Sequence, residues 1–341
     1  MANLSSIPTL EDVADAAGVS TATVSRCLNT PGKVAETTRR KVFEAVEKLD
    51  YSPNFGARAM AAKRTYTIGA IIPTMENAIF ARGLQAFQEE LRDHGYHLLV
   101  ASTSYNAQTE ADLVRAMVAR GAEGLLLIGQ DRSEPTINFL KQRNLATLVA
   151  WTFDPDGSFP TVGFDNHAAM RILTEKVIAM GHKNIGMISA KTANNDRARA
   201  RVNGIRDAIA AANLPGLNLS VIETVYTIDA GARAFEALMA ETARPTVVLC
   251  GNDVLAVGAV KKAKALGIDV PGHVSITGFD DMELATVIEP ALTTVHVPHR
   301  DMGQEAAKVL IKMIEDPDKP PNRRLLETHI VFRDSLADLA I

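Results

Sequence analysis

Residues 20–29 carry Ser20, Thr21, Ala22, Thr23, Ser25, Arg26 and Asn29, short hydroxyls and a methyl grouped around one guanidinium. Such a surface suits a DNA major groove. Arg26 can reach O6 and N7 of a guanine, and Ala22 or the Thr21 methyl can touch a thymine methyl. The hydroxyls of Ser20, Thr23 and Ser25 suit phosphate oxygens. A second group of side chains stands where apolar runs end. Asn77 and Phe80 follow the run at 67–72, Trp151 the run at 146–150, and Asp196, Arg197, Arg199 and Arg201 the run at 185–189. Asn252 follows 246–250, and Asp280 follows 274–278. Aromatic faces can stack on a hydroxylated ring while planar amides, carboxylates and guanidinium groups pair with its hydroxyls. Each residue alone is a weak signal, since Trp151 and Phe80 also read as core, and Asn252 and Asp280 as helix caps. Their convergence on one edge carries the functional reading.

Both groups need scaffolds. Residues 9–29, TLEDVADAAGVSTATVSRCLN, read as two short helices joined by a tight turn. Thr9 can cap the first helix with Asp12 as its reciprocal partner. Leu10, Val13, Ala14 and Ala17 recur at helical spacing and make one apolar face. Gly18 suits a left-handed helix end, Val19 returns to the core, Ser20 can cap the second helix, and Val24 and Leu28 form its buried side. Helices this short must pack on each other and on a third. Residues 36–49 supply that third helix, with Val42, Val46 and Leu49 closing the core and Thr38, Arg39 and Arg40 placed to meet a phosphate. The small Ala14 lets the first two axes approach, as a helix-turn-helix requires. Residues 55–63, FGARAMAAK, have helix propensity but little apolar surface. They are expected to become helical only when held between DNA and a partner subunit.

From residue 65 the pattern becomes strand, loop, helix, repeated. Apolar runs rich in β-branched residues occupy 67–72, 98–102, 124–128, 146–150, 185–189, 221–225, 246–250 and 274–278. Amphipathic stretches lie between them at 79–94, 109–120, 167–180, 197–212, 230–241 and 254–266. Continuous apolar strands alternating with helices imply parallel sheets covered on both faces. Eight such strands exceed one comfortable sheet, and Asp154-Pro-Asp-Gly157 offers a break midway. The expectation is two doubly wound lobes with a cleft between them and ligand contacts outside the carboxyl ends of the strands.

Composition excludes several classes. No run of about 18 apolar residues exists, so no transmembrane helix is expected. The start of the chain lacks the charged and apolar regions of a secretory signal, and a cytoplasmic location is expected. Cys27 and Cys250 are isolated and read as small buried hydrophobes. The net charge of −4 hides an asymmetry: residues 1–65 hold 9 Lys and Arg against 7 Asp and Glu, leaving the acidic excess downstream. Phosphate contacts need only a local basic face. Catalysis finds no support. There is no Gly-x-Gly-x-x-Gly after a strand, no phosphate-binding loop, no Gly-x-Ser-x-Gly elbow and no His-Glu-x-x-His. The cysteines and histidines lack zinc spacing, and Asp280 and Asp281, adjacent on a loop, should point apart. Neither an enzyme nor a cofactor nor a metal site is expected.

The same segments resemble the lactose-repressor (LacI/GalR) family over nearly the whole chain. The resemblance runs through TLEDVADAAGVSTATVSRCLN, VAETTRRKVFEAVEKLDYSPN and ARAMA, then NAIFARGLQAFQEEL, VGFDN, GHKNIGMIS, RVNGI, CGNDVLAVGAVKKAKALGIDVP, SITGFDD and LTTVHVP. It implies an all-α helix-turn-helix headpiece at 1–52, a hinge at 53–64, and an α/β periplasmic-binding-protein-like core of two doubly wound parallel-sheet lobes at 65–341. The N-lobe would be 65–163 plus 295–325, and the C-lobe 164–294 plus 326–341. By resemblance the chain is a homodimeric regulator, most simply a repressor of carbohydrate catabolism genes. It would read a palindromic double-stranded operator under control of a small effector. Base-reading positions fall on Thr21, Ala22 and Arg26, and phosphate-contacting hydroxyls on Ser20, Thr23 and Ser25, with Asn29, Asn54 and Ala57 joining the DNA-binding set. The hinge wedge, usually leucine, falls on Met60, also an apolar wedge. Effector positions fall on Phe80, Trp151, Arg201, Tyr226, Asn252 and Asp280. Some relatives carry an aspartate where Trp151 stands, so their ligand preference does not transfer. Arg197, Arg199 and Arg201 together suggest an anionic ligand, and VGFDN with NAIFA is similar to the gluconate-repressor branch, favouring a sugar acid. No leucine-heptad tail follows VFRDSL, so a tetramer built on one is not expected.

Overall fold

In a computed structural model of the chain, residues 7–52 and 55–340 are described. The chain divides into two compact units, Met1–Thr65 and Tyr66–Ile341.

In the first unit, Thr9 Oγ1 accepts from the Asp12 amide at 3.3 Å while the Asp12 carboxylate accepts from the Thr9 amide at 2.7 Å. This reciprocal cap opens α1 (Leu10–Ala17). Gly18 ends it at φ +65°, with open space where a Cβ would stand, so the left-handed backbone rather than crowding selects glycine. Ser20 Oγ accepts from the Thr23 amide at 3.2 Å and starts α2 (Thr21–Asn29). A short 3-10 turn leads to α3 (Glu36–Lys48). Val13, Ala14, Ala17, Val24, Cys27, Val42 and Ala45 are buried together as the core of the three helices. Fully burying one valine contributes about 1.5–3 kcal/mol, so a few such residues hold this small unit together. α4 (Phe55–Ala62) follows.

The second unit begins with β1 (Thr67–Ile72), α5 (Ala78–Asp93), β2 (His97–Ser102), α6 (Ala107–Ala119), β3 (Gly124–Ile128), α7 (Glu134–Gln142), β4 (Ala146–Ala150) and β5 (Thr161–Gly163). It continues through α8 (Asn166–Ala179), β6 (Asn184–Ala190), α9 (Asp196–Ala212), β7 (Asn218–Thr224), α10 (Ile228–Met239), β8 (Val247–Cys250), α11 (Asp253–Ala265) and β9 (Ser275–Thr277). The last elements are α12 (Leu284–Val287), β10 (Thr294–His296), α13 (His299–Glu315), β11 (Arg324–Leu325) and β12 (His329–Val331). One parallel sheet has the order β11-β5-β4-β3-β1-β2 and a second the order β7-β6-β8-β9. Every pair within both sheets is parallel. Central strands β1, β3 and β8 are buried along their whole length, which is why each reads as an unbroken apolar run.

Two details depart from the sequence reading. The turn at Asp154–Gly157 does not end the first lobe. Arg323 donates to the carbonyls of Asp154, Gly157 and Phe159 at 2.6–2.8 Å and folds that loop back, so that β5 joins β4 in the same sheet. β5 ends at Gly163, the residue at which the resemblance to the family ended the first segment of the N-lobe. Short strands β5, β10, β11 and β12, two or three residues each, also went unread, because so few residues show no periodicity. Antiparallel β10 and β12 form a ribbon between the lobes, since β10 runs into α13, packed on β4 of the first sheet, and β12 leads to Ser335, bonded to β9 of the second.

Candidate nucleic-acid surface and effector cleft

On α2, Thr21, Ala22, Arg26 and Asn29 are exposed, while Val24 and Cys27 face the core. Among the described residues no carboxylate pairs with Arg26, which leaves its guanidinium free for a base edge. Ser20 Oγ and Thr23 Oγ1 lie 2.9 Å apart, and Asn29 Nδ2 donates to Ser25 Oγ at 3.2 Å. These bonds fix the polar side chains on one surface and still leave lone pairs and hydroxyl protons. The basic residues of α3 are partly occupied, Arg39 by Glu36 and Arg40 by Glu44 at 3.6 Å. On α4, Met60 is 84% exposed, an apolar side chain standing in solvent. Ala57 lies on the same helix, and Asn54 lies outside the described residues.

Between the sheets, Phe80, Trp151, Arg201, Tyr226, Asn252 and Asp280 line one cleft, joined by Asn77, Ile79, Tyr105, Asn195 and Arg197. Each sheet's order reverses at a switch point, β1 beside β3 and β6 beside β8, and parallel α/β folds open a crevice there. Phe80 and Trp151 pack with ring centroids 5.5 Å apart, and Tyr105 faces Tyr226 at 6.1 Å. Tyr105, Trp151 and Asp280 hold left-handed backbones, with φ of +60°, +61° and +103°. Such conformations in bulky or charged residues cost about 1–3 kcal/mol each and concentrate at functional sites.

Arg201 is buried and heavily engaged. Its Nε donates to Asn166 Oδ1 at 2.9 Å, its Nη1 donates to the Gly251 carbonyl, and its guanidinium lies 3.9 Å from the Phe279 ring centroid. It is thus a frame of the second lobe as well as a lining residue. Asn252 is likewise double: its Oδ1 accepts from the Leu255 amide at 2.9 Å and caps α11, while the residue lines the cleft. Arg199 does not join the other two arginines. It forms a two-pronged pair with Asp131 of the first lobe at 2.6 and 2.9 Å, which corrects the expectation of a three-arginine anion site. Asp196 also reaches across, accepting from the Gln130 amide at 2.9 Å. Asp280 and Asp281 do point apart, the latter pairing with His296 at 2.9 Å and Arg333 at 2.6 Å.

Burial pushes the Asp280 carboxyl up to about 8, with Asp253 adding to the rise and Arg201 opposing it. Burial likewise raises Asp253 to about 7, although the Met282 amide at 2.6 Å and the Thr294 hydroxyl at 2.7 Å hold it back. His299, 3.9 Å from Asp280 and stacked against Trp151, is pushed down to about 3 by its own burial. Among the described residues, Trp151 Nε1, Asp280 Oδ1 and both His299 ring nitrogens are buried without a hydrogen bond of ordinary geometry. Buried polar atoms are nearly always satisfied, so this cluster is poised for a polar guest or water.

Sequence reasoning missed Tyr105, Asn195 and His299. Tyr105 follows a half-exposed edge strand, Asn195 precedes its helix by one position, and His299 follows no apolar run. Their only signal was position just beyond a strand or before a helix.

The profile described as bacterial regulatory proteins, lacI family, matches residues 9–54, and that of a periplasmic binding protein-like domain matches residues 174–336. The HTH-type transcriptional repressor PurR of Vibrio cholerae is 32% identical over 338 residues, covering 97% of this chain and 98% of that protein. A LacI-family transcriptional regulator from Silicibacter pomeroyi superposes with a TM-score of 0.87 at 27% identity, covering 97% of this chain and 99% of that one. The transcriptional regulator CelR in complex with cellobiose gives a TM-score of 0.69 at 28% identity, over 96% and 99% of the two chains. With a helix-turn-helix unit, a two-lobed ligand-binding core and near full-length similarity to such repressors, the chain belongs to the LacI family of DNA-binding transcriptional regulators.

Proposed function

We propose that this regulator represses genes of carbohydrate use. It binds a palindromic operator as a homodimer in the cytoplasm and responds to a small hydroxylated effector, a sugar, sugar acid or sugar phosphate, held between its lobes. Arg26 reads a guanine, Thr21 and Ala22 touch base methyls, and Ser20, Thr23, Ser25 and Asn29 grip the backbone. The hinge residues Asn54, Ala57 and Met60 meet the minor groove, where Met60 wedges a base step. Phe80, Trp151 and Tyr226 stack on the effector, while Arg201, Asn252 and Asp280 bond its hydroxyls. The headpiece would occupy 1–52, the hinge 53–64 and the effector core 65–341. No catalytic step is assigned.

The observation that carries the effector reading is the buried cluster of unsatisfied polar atoms on Trp151, Asp280 and His299 beside aromatic faces. The cellobiose complex of a relative supports it. The test is a thermal-shift screen of sugars, sugar acids, sugar phosphates and nucleosides, followed by operator binding with each hit. A ligand at 100 times its Kd adds about 2.7 kcal/mol, and it should also change operator affinity. A hit confined to nucleosides rejects the carbohydrate assignment, and hits that leave operator affinity unchanged reject the switch.

A further inference from the structure

Three asparagines of the cleft share one predicament. Asn77, Asn195 and Asn252 are the N-caps of α5, α9 and α11, and each is buried. Asn77 Oδ1 accepts from the Ile79 amide at 3.3 Å, Asn195 Oδ1 from Ala198 at 3.3 Å, and Asn252 Oδ1 from Leu255 at 2.9 Å. A backbone amide can only donate, so the oxygen of each side chain is committed to its helix and the NH2 end remains. Among the described residues none of these NH2 groups donates to a protein acceptor. The cleft therefore receives three amide donors and the positive ends of three helices at once, each helix longer than three turns and carrying about half a positive charge there.

The other polar groups tip the balance the same way. Arg197 lines the cleft, and its one carboxylate partner is the neighbouring Asp196 at 3.1 Å. Arg201 has no carboxylate partner within ion-pair distance among the described residues. Trp151 Nε1, a donor with nothing to accept, belongs to a lining residue only 2% exposed. Asp280 is the one carboxyl group that lines this pocket, and burial favours its uncharged form. A neutral sugar can also accept from these N–H groups, but each of its hydroxyls brings a proton that needs an acceptor in turn, and this lining is rich in donors. A carboxylate or phosphate offers only acceptors and a charge matched to helix N-termini.

We infer that the effector is an anion, a small polyhydroxylated acid whose acidic group lies at the joint N-termini of α5, α9 and α11 within reach of Asn77, Asn195, Asn252 and Arg197. This rests on the effector reading above and narrows it. The test is isothermal titration of the full chain with D-gluconate, D-galacturonate and D-glucose 6-phosphate against D-glucose and D-galactose, with inorganic sulfate as a bare anion. At least one acid should bind tenfold or more tighter than its neutral counterpart, and sulfate should compete with it. A carboxylate and a phosphate source separate on which acid wins. Asn77→Asp keeps the capping oxygen and replaces the donor with a negative charge, so acid affinity should fall tenfold or more, and by a larger factor than any neutral-sugar affinity. Asn77→Ser, which also caps, removes the donor without adding charge and should cost less. Melting curves of both variants report whether the fold is kept. A neutral sugar that binds as tightly as its acid overturns the anion assignment and leaves the effector reading standing. No response to any acid or to sulfate at tens of millimolar also overturns it, and if the neutral sugars fail too, the effector reading falls with it.

Discussion

At the scale of single residues, Arg26 and Arg201 illustrate two kinds of arginine. Arg26 is exposed and has no carboxylate partner among the described residues, so its removal should disturb the fold little. Arg26→Ala should cost about 1–3 kcal/mol of specific operator binding, with a smaller loss on random DNA. Equal weakening of both in a salt-matched titration would remove the base-reading role. Arg201 is buried and satisfies both Asn166 and the Gly251 carbonyl. Arg201→Ala leaves those acceptors unpaired at roughly 1–3 kcal/mol apiece. The variant should therefore lose effector response and also melt earlier. Thermal melting beside operator binding distinguishes this from a purely ligand-contacting role, in which the melting transition would not move.

At the scale of elements, the turn between α1 and α2 depends on Gly18 at φ +65°. Gly18→Ala has room for its methyl but must hold a left-handed backbone, at about 1–2 kcal/mol. Headpiece melting should register that loss, and an unchanged transition would mean that the turn relaxes. Between the lobes, the Arg199–Asp131 pair joins the start of α9 to the end of β3, but the Arg199 side chain is 45% exposed. Exposed pairs contribute about 0–1 kcal/mol. Arg199→Ala should leave melting nearly unchanged and shift effector affinity by no more than about fivefold, the limit that such an energy sets on a lobe equilibrium. A larger shift, read by titration with the identified effector, would show that the pair is coupled to further contacts.

At the scale of the whole molecule, stability should depend on pH through the buried groups around the cleft. Asp280 and Asp253 have folded values raised to about 8 and about 7 from 3.8, so the native state holds their protons more tightly. Their contribution is fully present below about pH 4 and is lost as pH rises toward 8. His299 has the opposite sign: lowered from 6.5 to about 3, it favours the native state above pH 6.5, and that advantage is lost as pH falls. With two such carboxyl groups against one imidazole, the summed contribution of these three groups should be greatest at about pH 4 and decline toward pH 8. Asp280→Asn removes one titrating group and should flatten the decline between pH 6 and 8 in a series of melting curves. A slope parallel to that of the parent protein would assign the decline elsewhere.

The headpiece was legible because its signals are local. The Thr9–Asp12 cap, Gly18 and the spacing of Val13, Ala14, Val24 and Val42 act within a few residues, and their physics does not wait for the rest of the chain. The long strands were legible for a related reason, since burial on both faces leaves an unbroken apolar run. The cleft was only half legible. Position beyond a strand end marked Phe80, Trp151, Arg201, Asn252 and Asp280, but which donors face inward depends on partners far away in sequence. Arg199 finds Asp131 across 68 positions, Arg201 finds Gly251 across 50, and Arg323 folds back a loop more than 160 positions earlier. Local propensity and periodicity thus determine the elements and their order, while the direction of each long polar side chain is decided only when the chain folds and brings acceptors distant in sequence, within a lobe or across the two, into hydrogen-bonding range.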